Sequence, residues 1–285
     1  MADNFLDRIF PFKRNWLELE DFRIHYVDEG QGRPVVMFHA CPMWSFAYRF
    51  LIRDLAFDHR VIAFDLPGFG LSSGGEHFDY TLNGYINVTE SLLEHLQIDN
   101  ATLILHGWGG TVGVGYAVRH PQHVNSLVIL NTLAFSSYSI PWRLRFCRIP
   151  WLGAKLVTDL RLLQFGNRAV HARDIAAAYE YPYRRREARQ ALYRFVEDIP
   201  TVPEAESAQR MMEIETGLWM FRSTPSLILW AMRDWLYPPR LLKRWKRYLP
   251  NAEIHTIDRA GRYIQEDAPD ELNRYIRAFF ARHQL

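Results

Sequence analysis

The stretch Leu103–Tyr116, LILHGWGGTVGVGY, decides the fold, because it predicts a strand, a sharp turn and a helix in immediate succession. The apolar run up to His106 is typical of a buried strand, and the small residues after it allow a helix to pack closely. In proteins with this arrangement the residue at the apex of the turn presents a nucleophile. Here the apex is Gly107, which has no side chain, so the turn alone does not reveal the function.

Five further short apolar runs resemble the strand in this unit: PVVMFH, RVIAFD, SLVILN, PSLILW and AEIHTI. Such runs are typical of parallel strands that are buried on both faces. Helical patterns lie between them, for example over Thr81–Leu96 and Trp108–Arg119, and Trp16–Leu19 with Phe22–Val27 predicts an opening hairpin. The chain therefore predicts an α/β fold with a doubly wound, mostly parallel sheet.

One connection between predicted strands is much longer than the others. The segment between Asn131 and Pro225 has helical periodicity that is interrupted by prolines, and it has no strand pattern. We expect an α/β core of residues 1–133 and 220–285, and an inserted helical cap of residues 134–219 over the carboxyl ends of the strands. Ligands of open α/β sheets bind at those ends.

The composition is that of an ordinary globular protein of 285 residues, 48% hydrophobic and 23% charged. A net charge of +2 gives no indication of a nucleic-acid partner. The two cysteines, Cys41 and Cys147, provide neither a disulfide framework nor a metal-site spacing, and nothing predicts a cofactor. The N-terminus lacks the apolar core of a signal peptide and no run is long enough to span a membrane, so we expect a cytoplasmic location.

The predicted cap has a charge pattern of its own. Between Ile140 and Phe195, Lys and Arg outnumber acidic residues by twelve to four, and Trp142 and Trp151 are interleaved with them. Such a face suits a membrane surface, an acyl-carrier protein or an anionic ligand, but charge runs are often merely solvated. The sequence leaves these alternatives open.

The sharp turn HGWGG, His106–Gly110, has the form called a nucleophile elbow. Five further motifs accompany it: HACPMWSFAYR, DLPGFGLSS, HPQHVNSLVILNT, ILWAMRDWLYPP and AGRYIQED. In this order they resemble the α/β-hydrolase-fold proteins of the haloalkane dehalogenase group, and more closely the β-lactone decarboxylases of bacterial olefin biosynthesis. The resemblance runs nearly from end to end. It implies an α/β-hydrolase fold with a catalytic site at the elbow.

The same resemblance implies a nucleophilic aspartate where this chain has Gly107, a general-base histidine where it has Arg262, and an acid that is retained as Asp234. Because arginine stays protonated at physiological pH, Arg262 is no conventional general base. We expect it to form a bidentate ion pair with Asp234. Of the two halide-binding positions that the resemblance implies, Trp108 is kept and the asparagine is replaced by Cys41, a weak donor.

Three hypotheses for the function follow. The first is an enzyme that binds an apolar acyl or alkyl ligand, neutral or anionic, and promotes lyase, cyclase or isomerase-type chemistry without a covalent intermediate. In it Arg262 stabilises an anion, and Asp234 orients Arg262 or shuttles a proton. The second is a pseudoenzyme that binds a ligand or a partner protein. The third is a hydrolase that uses an activated water or Cys41, with the thiol pKa lowered by Arg262.

The pocket around these positions is expected to be apolar apart from one charged group. Its predicted ligand contacts are Gly107, Trp108, Met43, Trp44 and Tyr263. Two explanations for Gly107 stay open: glycine is the least strained residue in a turn with positive φ, or a substrate atom occupies the volume of the missing side chain. Ala40, which stands at a glycine position of the resemblance, is a further departure, and His39 and His106 are expected to brace loops.

Overall fold

A computed structural model describes residues 3–75, 77–136, 142–163 and 172–285. Its strands are β1 (Asn15–Glu18), β2 (Arg23–Glu29), β3 (Arg33–Phe38), β4 (His59–Phe64), β5 (Ala101–His106), β6 (Val124–Thr132), β7 (Ser226–Ala231) and β8 (Glu253–Ile257). They form one sheet in the order β1-β2-β4-β3-β5-β6-β7-β8. The pairs β1–β2 and β2–β4 are antiparallel, and the other neighbours are parallel. The predicted hairpin and all six predicted parallel strands are confirmed.

The helices that the structure describes surround this sheet and include the inserted segment. They are α1 (Asp3–Ile9), α2 (Arg49–Leu55), α3 (Leu82–His95), α4 (Gly107–Arg119), α5 (Trp142–Phe146), α6 (Leu152–Thr158), α7 (Arg173–Glu180), α8 (Gln190–Asp198), α9 (Glu206–Gly217), α10 (Pro239–Tyr248), α11 (Ile264–Asp267) and α12 (Pro269–His283). Within the described residues, none of these helices has both the length and the apolar character needed to cross a membrane.

The sheet is covered on both faces, as a doubly wound fold requires. All six residues of β5 are buried, and alternate side chains enter different apolar clusters. Leu103 and Leu105 pack in a cluster with residues of α3 and α4, whereas Ile104 packs in one with residues of α2 and α12. Because both faces are buried, the strand reads as one continuous apolar run rather than an alternating one.

Helices α5 to α9 lie between β6 and β7 in the chain, and the described residues between these strands contain no strand of their own. Two of these helices contact the segments that directly follow core strands. Phe195 of α8 packs edge-on against Trp108, with ring centres 5.3 Å apart, and Tyr179 of α7 packs against Phe46 at 5.2 Å. Parts of the predicted cap, residues 137–141 and 164–171, lie outside the described residues.

Candidate functional site

The turn between β5 and α4 is built from glycines that the backbone requires. Gly107 has a φ of +57°, a left-handed conformation that glycine adopts freely. A Cβ on Gly109 would lie 2.1 Å from the carbonyl oxygen of His39, so only glycine fits there. The N–H of Gly109 donates to that same oxygen at 3.1 Å. The turn after β5 is thereby fixed against the loop after β3.

The methyl group of Ala40 blocks the space beside Gly107. A Cβ at position 107 would lie 2.4 Å from the Cβ of Ala40, far inside the normal contact distance between carbon atoms. The next side chain that it would meet is Tyr237, whose Cε2 atom is 3.8 Å away. The structure therefore favours the conformational explanation of Gly107, because the point at which a side chain would begin is already occupied.

Arg262 follows β8, and its guanidinium turns toward the loop after β3. Its Nη2 donates a hydrogen bond to the carbonyl oxygen of Cys41. The guanidinium carbon lies 5.8 Å from the ring centre of Tyr237. The other terminal nitrogen, Nη1, is buried and has no hydrogen-bond partner among the described residues. Since a buried donor without a partner is costly, this N–H marks a position suited to a ligand oxygen.

The predicted ion pair between Asp234 and Arg262 is wrong: within the part of the chain that the structure describes, no such pair forms. Asp234 Oδ1 instead accepts from the backbone N–H groups of Leu236 at 2.8 Å and Tyr237 at 3.2 Å, which closes a turn after β7. Its Oδ2 is buried without a described partner. Burial raises the pKa of this carboxyl, and the nearby charge of Arg262 offsets part of that rise. Each group is anchored to a different stretch of backbone, so they interact without contact.

The thiol of Cys41 is buried, with 4% of the residue exposed. Burial raises its pKa far above the ordinary value, and the charge of Arg262 lowers it by a smaller amount. Arg262 therefore lowers the pKa of the thiol as expected, but the opposing effect of burial is larger. Because the thiolate is the nucleophilic form of cysteine, this thiol is not activated.

Trp108 provides a second buried donor at the site. Only 5% of the residue is exposed, and its Nε1 has no hydrogen-bond partner among the described residues. Trp108 directly follows Gly107, which contacts Ala40, and the next residue, Cys41, accepts the hydrogen bond from Arg262. The described residues thus leave two buried donors without a partner, the indole N–H at the start of α4 and the guanidinium Nη1 on the segment after β8.

Two of the predicted ligand contacts are packing residues. Met43 and Trp44 are fully buried and belong to the apolar cluster that does not contain Trp108. The Trp44 indole stacks on Phe46 at 5.4 Å, and its N–H donates to the carbonyl oxygen of Ala178 in α7 at 3.2 Å. The sequence does not reveal which face of the loop these side chains occupy.

Tyr263 lies next to Arg262 in the chain and is also buried. Its ring packs edge-on against Tyr179 of α7 at 5.2 Å. Burial raises the pKa of its phenol, although the charge of Arg262 acts in the opposite direction. The residue thus connects the inserted helices to the loop that carries Arg262.

Two buried histidines hold the surrounding loops. His39 Nε2 accepts from the N–H of Leu66 at 3.0 Å, and its Nδ1 donates to the carbonyl oxygen of Ala40 at 3.1 Å. His106 Nδ1 accepts from the side-chain amide of Gln265 at 2.9 Å. Burial, together with the charges of Arg262 and His39, lowers the pKa of His106 to about 3. His106 is therefore neutral at physiological pH.

Sequence reasoning missed Tyr237, Gln265 and Phe195. Tyr237 lies near both Gly107 and Arg262, and its only signal was its place three residues after Asp234 in ILWAMRDWLYPP. Gln265 lies within AGRYIQED, but neither its partner nor that of Phe195 could be predicted, because helical periodicity does not identify the partner of an individual side chain.

The sequence matches the model of the alpha/beta hydrolase fold family over residues 33–269. A Shewanella oneidensis protein named cis-3-alkyl-4-alkyloxetan-2-one decarboxylase is 38% identical, and the match covers 96% of this chain and 90% of that protein. The protein of the same name from Xanthomonas campestris pv. campestris is 34% identical, with 91% of this chain and 93% of that protein covered.

Solved structures give the same fold. A haloalkane dehalogenase from Bradyrhizobium elkani superposes with a TM-score of 0.86 over 96% of this chain and 99% of that one, at 22% identity. The predicted resemblance to these two groups of proteins is confirmed.

Proposed function

Because this chain belongs to the alpha/beta-hydrolase fold family, we propose that it uses the fold for lyase-type chemistry on an apolar acyl or alkyl substrate, without a covalent intermediate. Gly107 and Arg262 stand where the resemblance implies a nucleophile and a base, and neither residue type performs those steps. The Cys41 thiol is no substitute, because burial keeps it protonated. A reaction that needs neither group suits this site best.

The pair of buried donors carries this proposal. Arg262 Nη1 and Trp108 Nε1 have no described hydrogen-bond partner, and one of the two bears a positive charge. Donors of this kind stabilise an oxyanion that develops during a reaction. The rings of Tyr237 and Phe195 lie beside these donors, against Arg262 and Trp108 respectively. An alkyl chain that ends in a carboxylate-forming group matches this combination.

A dialkyl β-lactone belongs to this substrate class, and it is the ring named in the two decarboxylase relatives. In its decarboxylation the bond between the ring oxygen and the alkyl carbon breaks, and the electron pair stays on the oxygen as a carboxylate. This leaves the alkyl carbon electron-deficient. The bond between the carboxylate carbon and the other alkyl-bearing carbon then breaks, its electron pair forms the alkene with the electron-deficient carbon, and carbon dioxide leaves. No nucleophile, base or water enters the balance.

In this proposal the residues act by binding and by charge. Arg262 and Trp108 donate to the developing carboxylate, and Asp234 positions Arg262 through its nearby charge rather than through contact. We further propose that residues 134–219 form a cap that excludes water, with Phe195 closing over Trp108.

A synthetic cis-3,4-dialkyl-oxetan-2-one tests the proposal, with the alkene measured by gas chromatography. We expect Arg262→Lys to lower turnover by about a hundredfold, because the ammonium keeps the charge but loses the planar pair of donors. The matched control is Arg259→Lys in the same loop, where the exposed arginine pairs with Glu271 at 2.8 Å. This variant should retain full activity, since surface ion pairs contribute little.

The main alternative is a binding protein without turnover, which is equally compatible with the block that Ala40 places beside Gly107. If the wild type forms no alkene but binds the lactone, and Arg262→Lys weakens only that binding, this alternative replaces the lyase. If Arg262→Lys and Asp234→Asn both leave a measured alkene-forming activity intact, the proposed roles are wrong.

A further inference from the structure

The first inserted helices expose large apolar side chains at the surface. Trp151 is 88% exposed, and Ile149, Leu152 and Leu160 are also exposed. A tight turn joins α5 to α6, in which the N–H of Gly153 donates to the carbonyl oxygen of Ile149 at 2.7 Å. We call Ile149, Trp151, Leu152 and Leu160 the apolar patch. A group of such side chains at one corner of a surface marks an interaction site.

The orientation of α6 explains why the patch is exposed. Gly153 and Val157 are buried on its inner side, whereas Leu152 and Lys155 point outward. Leu160, one turn beyond Leu156, continues this outer side after the helix ends. An ordinary surface helix carries polar residues outward, whereas α6 exposes Leu152 beside Lys155.

Trp151 also has an unfavourable backbone conformation. Its φ is +64°, in the region that glycine adopts readily and residues with a Cβ avoid. The position precedes α6, where a glycine would remove this strain. A strained tryptophan that is almost fully exposed costs stability, and such costs are typical of positions kept for an interaction.

The charges around the patch are positive. Residues 142–158 contain no aspartate or glutamate. Arg145 and Lys155 are exposed beside the patch. Asp159, which lies next to Leu160, forms an ion pair with Arg186 at 2.7 Å, so its negative charge is compensated.

We propose that the apolar patch docks on the surface of a bilayer that contains anionic lipids. Exposed tryptophan and leucine beside arginine and lysine are the groups that enter the interface between acyl chains and anionic headgroups. An acidic protein with an apolar pocket for Trp151 would also complement this surface, and the experiment below distinguishes it from a bilayer. The inference depends on the surface alone and stands whether or not the lyase proposal holds.

Vesicle flotation tests the docking surface. We expect the wild type to float with vesicles of phosphatidylcholine and phosphatidylglycerol, and to bind vesicles of phosphatidylcholine alone much more weakly. Trp151→Ser combined with Leu160→Ser should weaken binding by roughly tenfold or more, because it removes apolar area that inserts into the bilayer. Arg145→Gln combined with Lys155→Gln should weaken binding to the anionic vesicles only, and added salt should do the same.

Matched controls separate the patch from exposed apolar residues in general. Trp219 is 48% exposed and Phe57 is 95% exposed, and both lie outside the patch. Trp219→Ser and Phe57→Ser should leave vesicle binding unchanged. The proposal is overturned if the wild type binds neither kind of vesicle, if the Trp151 and Leu160 variant floats like the wild type, or if the same variant loses binding only to an acidic carrier protein.

Discussion

Ala40 and Gly107 are coupled by direct contact, since the methyl group of one lies where the side chain of the other would start. The family resemblance implies the reverse arrangement, with a glycine at position 40 and an aspartate at position 107. The alanine at position 40 and the glycine at position 107 therefore fit each other sterically. A second steric partner, Tyr237, lies beside the same point.

This coupling predicts the outcome of restoring the aspartate. We expect Gly107→Asp alone to lower the free energy of unfolding by about 2–4 kcal/mol, because it combines a positive φ with overpacking against Ala40. Ala40→Gly in the same chain should recover about half of that loss. Urea denaturation of the single and double variants measures the interaction as a double-mutant cycle. Additive effects would show that the two positions are independent.

The sequence predicts which residues lie together at the site, but it does not predict their individual contacts. Gly107, Arg262, Asp234 and Trp108 follow strands whose carboxyl ends meet at one edge of the sheet, so their proximity follows from the strand pattern. The partner of Arg262 could not be predicted, because it is the backbone carbonyl of Cys41, and a carbonyl has no signature in the sequence.

Among secondary-structure elements, the strands were the easiest to predict. β5 and β7 are buried along their whole length, and their apolar runs are correspondingly continuous. The inserted helices were harder to interpret, because some of their apolar residues are buried and others are exposed to solvent. Val157 packs inward and Leu152 is exposed, yet both look alike in the sequence.

Asp198 links an inserted helix to the core. It ends α8, and its carboxylate accepts from the backbone N–H of Leu82 at the start of α3, at 2.9 Å, and from the hydroxyl of Ser207. Burial raises its pKa to about 6, and Asp79 and Glu206 add to that rise. The folded chain therefore holds this proton more tightly than the unfolded chain does.

The pH dependence of stability follows from that difference. The contribution of Asp198 to the free energy of unfolding is fully present below about pH 4, the ordinary pKa of aspartic acid. It is lost as the pH rises through about 6. Asp198→Asn stays neutral, so its stability relative to the wild type should increase as the pH rises from 4 to 7. Urea denaturation at a series of pH values measures this, with the exposed Asp258→Asn as control. Parallel profiles for wild type and Asp198→Asn would contradict the prediction.

At the scale of the whole molecule, the inserted helix α7 is fixed to the core by a hydrogen bond to a buried ion pair. Arg49 of α2 donates to Glu266 of α11, and the hydroxyl of Tyr179 in α7 donates to the same carboxylate at 2.6 Å. Trp44 adds its hydrogen bond to α7. The loops that carry the site are therefore held between the sheet and the inserted helices, while α6 presents its apolar patch on the outside.

Intact-protein mass spectrometry during reaction with a dialkyl β-lactone distinguishes non-covalent from covalent chemistry. The reaction is run in 18O-labelled water while the alkene is measured. We expect alkene formation, an unmodified protein mass throughout, and no 18O-labelled hydroxy acid. An acyl adduct on the protein, or an 18O-labelled hydroxy acid in place of the alkene, would contradict a site that works by binding an oxyanion at Arg262 and Trp108.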